Sequence, residues 1–415
     1  MKILFIAAVW PEPTSSAAGI RFRQLIDTCN EAGFTLTVSS PCQTNNFQEQ
    51  LDNQGIQTIR FEPNDSAFDT FIRELMPDIV IFDRFMLEEQ FSWRVKACCP
   101  EAVLILDSCD LHSLRRLREA KIKAEEPILP ATDINLTDTD VLRELAAIYR
   151  CDHTLVVSDY ERDLLMTGYG IDASLLSLLR FWYEEIPVQP SYEDRHSFVS
   201  IGNFYHAPNL DSVRLLKKSL WPALYKAALK AGIDDPQLHI YGAYPTAEVR
   251  SFHAPKDGFH VLGWTPHAID TLKNYRVNLA PLRFGAGIKG KISDGWVAGT
   301  PCVTTQIGAE GMHETLPWGG SVSDSIDQMI EDAITLYKDK VLWEQAQARG
   351  NALIQNLFQA ATLKNKFLQI LSSCFQQKQQ GQNRHPVSAL LWHQQFRATE
   401  YFSRWIELKQ LHTKQ

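Results

Sequence analysis

Short runs of apolar residues alternate with longer amphipathic stretches along most of the chain. In the first half the runs are KILFIAAV (2–9), FTLTVSS (34–40), DIVIFD (78–83), AVLILD (102–107) and HTLVVS (153–158). Most are continuously apolar rather than alternating, a pattern typical of strands buried on both faces of a sheet. Between the first two, AGIRFRQLIDTCNEAG (18–33) spaces its apolar residues as a helix does and ends at glycine. The pattern predicts an α/β domain with a parallel sheet between layers of helices.

The same alternation restarts after FWYEEIPVQPSYEDR (181–195), a Pro-rich polar stretch that we predict to be a linker. The strand-like runs beyond it are HSFVSIGN (196–203), QLHIYG (237–242), FHVLGW (259–264), RVNLAPL (276–282) and PCVTT (301–305). The sequence therefore predicts two doubly wound α/β domains, 1–185 and 186–370, with a ligand cleft between them.

From Ile326 onward the pattern is helical, and we assign residues 371–415 to a helical tail. A Gln-rich break (376–386) precedes a final helix, VSALLWHQQFRATEYFSRWIEL (387–408). Its aromatic residues are Trp392, Phe396, Tyr401, Phe402 and Trp405. We expect this helix to pack on the first domain; the alternative is peripheral contact with a membrane surface.

Composition narrows the class of protein. At 415 residues the chain exceeds one ordinary core, and 45% hydrophobic with 22% charged residues is usual for a soluble enzyme. The net charge of −8 argues against nucleic acid as a partner. Eight cysteines without a C-x-x-C pair indicate a reduced chain without structural zinc. MKILFIAAVWPEP at the start is typical of a buried strand rather than a signal peptide, so we expect a cytoplasmic protein, with the inner membrane face as the alternative place.

The segment FGAGIKGKISDGWVAGTP (284–301), which we call the glycine-lysine loop, carries the clearest chemical signal. It lies at a strand-to-helix turn, where free amides and the positive end of the helix dipole favour an anion. Gly285 and Gly287 allow a close approach of the backbone, and Lys289 and Lys291 add positive charge. GAGIKG matches the dinucleotide pattern G-x-G-x-x-G, but the next strand ends on Thr305 rather than on an acid. A glycine turn that only packs a helix on the sheet is the alternative.

The stretch VNLAPLRFGAGIKGKISDGWVAGTPCVTTQIGAEGM (277–312) resembles the donor-binding segment of GT-B glycosyltransferases of the retaining family 4. FVSIGNFYHAPNLDSVRLL (198–216) is similar to the opening of their C-terminal domain, and ILDSCDLHSLRRLREA (105–120) resembles bacterial members acting in surface-polysaccharide assembly. The resemblance implies a GT-B fold, in which two Rossmann-like domains face each other across a cleft. It also implies transfer of a sugar from a nucleotide-diphosphate sugar to a saccharide or lipid-linked acceptor.

The resemblance assigns roles residue by residue. Asp294 stands where the family has the acid that binds the donor ribose, and a carboxylate can accept hydrogen bonds from both ribose hydroxyls. A solvated acid in the first turn of the helix is the alternative for Asp294. Ala286 stands where many members have a glutamate that holds the donor sugar, so this contact is missing or replaced.

The family's phosphate-binding Arg and Lys are also absent, because Asn203 and Pro208 occupy their positions. Lys289 and Lys291 are the expected substitutes. Arg115 and Arg116 are expected to pair with Glu119 along their helix.

The remaining candidates come from other loops. The resemblance places Gly263 and Trp264 at the nucleotide base, with an ordinary rim aromatic as the alternative for Trp264. Gly19 allows its loop to approach the bound phosphates or the acceptor, or merely lies in a helix capped by Ser15 or Ser16. The resemblance makes His112 an acceptor-side or sugar contact, and a purely structural histidine is the alternative. The predicted catalytic residues are Lys289, Lys291 and His112; the predicted donor-binding residues are Gly285, Gly287, Ile288, Asp294, Gly263, Trp264, Gly202, Asn203 and Gly19.

The implied mechanism needs no metal and no cofactor beyond the nucleotide sugar. In retaining GT-B enzymes the leaving phosphate is held to accept the acceptor's proton, which suits a chain with no obvious base; DTD (138–140) precedes a polar helix rather than forming a metal motif. The alternatives are a nucleotide-sugar epimerase or hydrolase of the same fold, a nicotinamide-dependent oxidoreductase, and a degenerate binding subunit of a polysaccharide-assembly complex.

Overall fold

Seven parallel strands form the sheet of the first domain. A computed structural model of the chain describes residues 1–14, 16–128, 133–381 and 385–413, without the side chains of 394–397 and 411–413. The strands are β1 (Lys2–Ile6), β2 (Thr35–Ser40), β3 (Gln57–Arg60), β4 (Ile79–Asp83), β5 (Val103–Asp107), β6 (His153–Val156) and β7 (Leu176–Leu178). Their order is β3-β2-β1-β4-β5-β6-β7. Helices cover both faces, so β4 and β5 are buried at every position, as continuous apolar runs require.

Helices lie between successive strands of this domain. They are α1 (Ala17–Glu31), α2 (Asn46–Asn53), α3 (Ala67–Leu75), α4 (Phe85–Cys98), α5 (His112–Lys123), α6 (Thr139–Arg150) and α7 (Asp159–Asp163).

The second domain repeats the architecture with six parallel strands. They are β8 (His196–Ile201), β9 (Leu238–Tyr241), β10 (Phe259–Gly263), β11 (Tyr275–Ala280), β12 (Cys302–Thr304) and β13 (Gly320–Val322), in the order β10-β9-β8-β11-β12-β13. The helices are α8 (Ala207–Leu215), α9 (Trp221–Lys230), α10 (Ala247–Ser251), α11 (Ala268–Leu272), α12 (Gly290–Ala298), α13 (Gln306–Ala309), α14 (Ile326–Lys338) and α15 (Lys340–Leu357). Each of the ten predicted strands is present, whereas β3, β7 and β13 were not predicted.

The chain crosses between the domains twice, and the two crossings lie side by side. The predicted linker has irregular structure, and within it the Tyr183 amide donates to the Phe358 carbonyl at 2.8 Å. The Ala360 amide in turn donates to the Tyr183 carbonyl at 3.0 Å. The next helix, α16 (Ala360–Gln379), packs on the first domain, where Leu363 and Phe367 are buried in its core. The return to the first domain thus begins at 358–360, ahead of residue 370.

The last helix, α17 (Pro386–Thr413), packs on the first domain as well. The Trp392 indole donates to the Arg150 carbonyl at 3.1 Å, and Glu407 accepts from the Ser66 amide at 3.1 Å. Two of the predicted aromatics, Phe402 and Trp405, remain 62% and 55% exposed, while the side chain of Phe396 lies outside the described residues. The helix therefore packs with one face and keeps an aromatic face in solvent.

The cysteines of the chain form no disulfide among the described residues. None of the helices in the described ranges combines the length and apolar character needed to span a bilayer.

Candidate active site

The carboxyl ends of both parallel sheets face a cleft of about 780 Å³ between the domains. In an open α/β sheet this is the edge where ligands bind. The loops after β1, β4 and β5 supply one wall, and the loops after β8, β9, β10 and β11 supply the other. The glycine-lysine loop follows β11 and leads into α12, which ends at Gly299 in the left-handed conformation (φ 76°). The glycine-lysine loop therefore lies in the predicted cleft between the two domains.

The central part of the glycine-lysine loop, residues 285–294, divides into a front half (285–289) and a back half (290–294). The back half presents to the cleft a cation, Lys291, that has no acceptor among the described residues. The Lys291 ammonium lies close to Gly202, where an added Cβ would approach its Nζ to 2.8 Å. It donates no hydrogen bond to a described residue. Burial lowers the pKa of Lys291 to about 8, so the ammonium is largely charged at neutral pH. A partly buried cation without a protein partner is suited to an anionic ligand.

Asp294 lies one turn further along α12 and also lines the cleft. Its Oδ1 accepts a hydrogen bond of 2.6 Å from the Tyr183 hydroxyl, whose oxygen also lies 2.9 Å from Ser293 Oγ. Burial raises the pKa of Asp294 to about 6, and the hydrogen bond from Tyr183 opposes this shift. The carboxylate is therefore ionised at neutral pH and held in place by the interdomain linker. Tyr183 was not among the predicted residues.

Residues 285–289, the front half of the loop, are held by the first domain instead. Arg118 of α5 donates to the Gly285 carbonyl at 2.9 Å and to both carboxylate oxygens of Glu310 at 2.8 Å. The Gly287 amide donates to Glu161 Oε1 at 2.8 Å. The Gly285 carbonyl and the Gly287 amide, which belong to the predicted anion-binding turn, are thus bound by side chains of the first domain.

Gly287 makes its close approach to the first domain, not to the cleft space. Its φ is 65°, and an added Cβ would lie 2.9 Å from Asp110 Cβ. Lys289 is similarly engaged, because its ammonium donates to the Gly287 carbonyl at 2.8 Å and to the Glu310 carbonyl at 3.1 Å. Burial lowers the pKa of Lys289, and the Glu310 charge opposes the shift. Lys289 lines the cleft, but its ammonium already has two protein acceptors.

Glu161 is fully buried at this contact. Its Oε1 accepts from the Leu111 and Gly287 amides, both at 2.8 Å, while Oε2 has no partner among the described residues. Burial, with the nearby Asp110 charge, raises the pKa of Glu161 to about 8. One carboxyl group therefore joins the start of α5 to the glycine-lysine loop.

His112 lies on the first-domain wall of the cleft, where it was predicted. Its Nε2 is 3.2 Å from Asp110 Oδ1, and Arg115 Nε donates to Asp110 Oδ2 at 2.7 Å. Burial disfavours the charged form of Asp110, but Arg115 and His112 outweigh it and hold the pKa of Asp110 well below its usual range. Asp110 thus holds both the His112 imidazole and the Arg115 guanidinium on the first-domain wall of the cleft.

The expected helix pairs of this segment were wrong. Arg116 pairs with Asp140, and Glu119 pairs with Lys123 at 2.7 Å, while Arg115 binds Asp110 as described. Asp140 and Asp110 lie on neighbouring segments, and sequence spacing along one helix does not reveal them.

The predicted donor-binding residues, together with the two predicted catalytic lysines, divide into two sets. Those that line the cleft are Gly202, Asn203, Trp264, Gly285, Ile288, Lys289, Lys291 and Asp294. Trp264 is 54% exposed, with its Nε1 3.5 Å from the Thr14 carbonyl of the opposite wall. Gly19, Gly263 and Gly287 are not part of the lining.

Gly19 lies against its own domain. Its amide donates to the Ser16 hydroxyl at 3.0 Å, the helix-cap arrangement given above as the alternative, and an added Cβ would overlap the backbone of Glu12. Ser15, the other proposed cap, lies outside the described residues.

Ala286 lines the cleft and packs against the core of the first domain. Asn203 and Pro208 line it too, so the positions of the absent Arg and Lys face the site. Among the described residues, no group of three or more His, Cys, Asp or Glu side chains is arranged to hold a metal ion.

Sequence reasoning missed a further cation, Arg84. It follows β4, lines the cleft, and has a left-handed backbone with φ 72°. The pairing Asp83-Arg84 at the end of a buried strand was the signal available, since strand ends face the ligand in such sheets.

Comparisons with known proteins bear on the fold and on the family of the second domain. Residues 195–339 match the family described as glycosyl transferases group 1. A search of curated proteins found no match. Among solved structures, Anabaena HepE in complex with UDP and glucose superposes with a TM-score of 0.65 at 11% identity, covering 90% of this chain and 100% of that one. A point mutant of S. aureus TarM in complex with Fondaparinux, alpha-GlcNAc-glycerol and UDP gives 0.64 at 10%, covering 89% and 99%. Sucrose-phosphate synthase from Thermosynechococcus elongatus gives 0.62 at 12%, covering 90% and 99%.

The fold is therefore GT-B, and the predicted resemblance to GT-B glycosyltransferases is confirmed. The family match lies within the second domain, which carries the glycine-lysine loop. Together the match and the fold support glycosyltransferase activity.

Proposed function

We propose that this protein transfers a sugar from a nucleotide-diphosphate sugar to a saccharide or lipid-linked acceptor. The observation that carries the proposal is the back half of the glycine-lysine loop. There the free Lys291 ammonium and the Asp294 carboxylate line the same cleft, three residues apart on α12. A cation for a phosphate and a carboxylate for ribose hydroxyls match the diphosphate and the ribose of a ribonucleoside diphosphate.

The difficult step is loss of the diphosphate, which gathers negative charge as the glycosidic bond breaks. Preorganised donors stabilise that charge most effectively where water is excluded. Lys291 and the amino end of α12 supply such donors. The ligands named for neighbouring structures, UDP and glucose with HepE and UDP with TarM, are consistent with this class of substrate.

We propose further that transfer proceeds with retention, the leaving phosphate taking the acceptor's proton. The carboxylates that line the cleft are engaged by protein donors: Asp110 by Arg115, Asp294 by Tyr183, and Asp270 by Lys273 at 2.9 Å. A mechanism that uses the donor's own phosphate as the base suits such a site. Lysine and helix dipole take the place of a metal ion in this proposal.

The acceptor and the place of action belong to the same proposal. In this proposal His112 and Arg115, which line the first-domain wall of the cleft, contact the sugar or the acceptor. We place the protein on the cytoplasmic side of a bacterial cell, in surface-polysaccharide or glycoconjugate synthesis. The exposed aromatic face of α17 would provide peripheral contact with the membrane that holds a lipid-linked acceptor.

A thermal-shift panel of UDP-, GDP-, ADP-, CDP- and dTDP-sugars tests the donor, because a ligand that binds the native state raises its stability. One nucleotide class should raise Tm, and Asp294→Ala should abolish that rise while leaving the unliganded Tm nearly unchanged. Product analysis with the matching donor, with and without EDTA, then separates transfer from release of free sugar. Failure of every nucleotide sugar to shift Tm would favour a non-catalytic binding subunit.

A further inference from the structure

The second domain supplies fewer groups for a diphosphate than the glycine-lysine loop suggests. The Gly287 amide is bound by Glu161, and the Lys289 ammonium is bound by two carbonyls. The positions of the missing Arg and Lys hold Asn203 and Pro208. Of the two lysines of the loop, Lys291 alone has no acceptor among the described residues. A nucleoside diphosphate carries at least two negative charges, so further positive charge has to come from elsewhere.

Arg84 on the opposite wall is placed to provide it. Its side chain is 25% exposed, and its charged partner is its own neighbour, Asp83, with Nε 3.4 Å from Oδ1. Asp83 also has a partner other than Arg84, because its Oδ2 accepts a hydrogen bond from the Ala8 amide at 3.1 Å. The Cys109 thiol and the Asp110 carboxylate are further neighbours of the guanidinium. A guanidinium has five N–H donors in a fork that matches two phosphate oxygens, so donors remain for a ligand on the cleft side of β4.

The backbone of Arg84 points to the same role. A φ of 72° is sparsely populated by residues with a side chain, and such conformations cluster at ligand sites. The Arg84 amide donates to the Asp107 carbonyl at 2.8 Å, which fixes the residue between β4 and β5. The strained residue is therefore held rigidly at the strand ends that face the donor wall.

His206 lies where the charges converge. It lines the cleft from the loop before α8 and is exposed to it. The positive charges of Arg115, Lys291 and Arg84 each lower the pKa of this imidazole, and the Asp110 charge raises it. Cations from both domains thus surround one region of the cleft.

We propose that Arg84 binds the distal phosphate of the nucleotide donor, opposite Lys291, so that the diphosphate site is completed by the first domain. This inference rests on the proposed function. It makes Arg84 a substitute, across the cleft, for the phosphate-binding pair that is absent from the second domain. The negative charge of the departing diphosphate is then shared by two cations on separate domains.

Calorimetric binding of one nucleoside diphosphate and its monophosphate tests this assignment. The base is chosen as the one giving the largest thermal shift in the wild-type protein. In Arg84→Gln the affinity for the diphosphate should fall about 10- to 100-fold, as expected for lost hydrogen bonds to a charged group, while the monophosphate changes by less than about two-fold. Arg84→Lys should lie between wild type and Arg84→Gln. Arg116→Gln, an exposed arginine paired with Asp140, is the matched control and should change neither affinity.

Arg84→Gly separates binding from folding, because glycine adopts φ 72° without strain. It should keep or raise Tm and lose diphosphate affinity as Arg84→Gln does. Equal weakening of mono- and diphosphate, or weakening of the nucleotide sugar alone, would overturn the inference by placing Arg84 at the nucleoside or the sugar. Wild-type protein that binds no nucleoside diphosphate would instead overturn the proposed function and this inference with it.

Discussion

The two halves of the glycine-lysine loop are adjacent in sequence and have opposite surroundings. In the front half, Arg118 binds Gly285, Glu161 binds Gly287, and carbonyl oxygens bind Lys289. In the back half, Lys291 has no acceptor among the described residues. One motif therefore combines a segment that joins the domains with a segment that is left open for a ligand.

A glycine-rich string thus does not assign all its amides and lysines to the same ligand. Mutations that disturb the front half or its partners should change the stability of the protein. Mutations that disturb the back half or its partners should change the binding of the ligand. Four experiments test that division.

Arg118→Ala should have the largest effect, on the front half. It leaves the Asp133 and Glu310 carboxylates without their buried counter-charge, and breaking such a pair costs about 3–5 kcal/mol. Chemical denaturation should show this loss in the free energy of unfolding. Arg116→Ala, on the same helix with a side chain 54% exposed, should change it by less than about 1 kcal/mol. Similar losses in both variants would mean that Arg118 does not hold the loop.

Glu161→Gln should change how stability depends on pH. Because the pKa of Glu161 is raised from 4.5 to about 8 in the folded protein, the native state keeps a proton that the unfolded chain has released. The free energy of unfolding should therefore fall as pH rises from about 4.5 to 8, by about 1.4 kcal/mol for each unit of pKa shift.

The side-chain amide introduced by Glu161→Gln can accept the same two backbone hydrogen bonds, so the variant should fold and lack this fall. Asp294, with its pKa raised to about 6, accounts for a similar slope only below that pH. Comparison of the two proteins by denaturation between about pH 6 and 8 isolates Glu161. Parallel curves would show that Glu161 does not titrate at the contact.

Lys291→Ala should lower the affinity for a nucleoside diphosphate by about 10- to 100-fold, the equivalent of about 1.5–3 kcal/mol for a lost charged hydrogen bond. Its Tm should not fall, because no acceptor among the described residues is lost. In wild type the affinity should decline as pH rises above 8, where the Lys291 ammonium loses its proton. Lys289→Ala is the matched control and should lower Tm more than affinity. The reverse pattern would exchange the roles of the two lysines.

Tyr183→Phe should have the smallest effect, about a two- to ten-fold loss of ribonucleoside diphosphate affinity, as expected for about 0.5–1.5 kcal/mol per neutral hydrogen bond. The loss should be confined to ribose-containing ligands, because Tyr183 orients Asp294. The 2′-deoxy ligand serves as the comparison in the same titration. An equal loss for both would show that Asp294 does not bind the ribose.

Much of the fold follows from local pattern. Buried parallel strands are encoded as uninterrupted apolar runs, and both domains contain such runs. The strands not predicted are short and peripheral: QTIR in β3, LSL in β7 and GSV in β13 contain too few apolar residues to form a run. Peripheral strands need less burial, so their sequences carry less signal.

The sequence predicts those parts of the site that lie in one continuous motif. It does not predict the parts formed by residues that are distant in sequence. Lys291 and Asp294 lie in one continuous motif, and the structure brings them together in the cleft. The partners of Gly285 and Gly287 lie 167 and 126 residues away in sequence. Only tertiary packing shows that these first-domain side chains occupy groups otherwise free for a ligand.

The return of the chain at 358–360 has a consequence for synthesis. The second domain is built from a continuous segment that ends at this crossing, so it can fold as soon as that segment has left the ribosome. The first domain is translated earlier, yet one layer of its core is formed by Leu363, Phe367 and Leu371 of α16. The first domain therefore waits, with an apolar surface uncovered, until the ribosome has translated the whole second domain and α16. A nonsense mutation just ahead of α16 would accordingly spare the domain it follows and harm the one encoded far upstream.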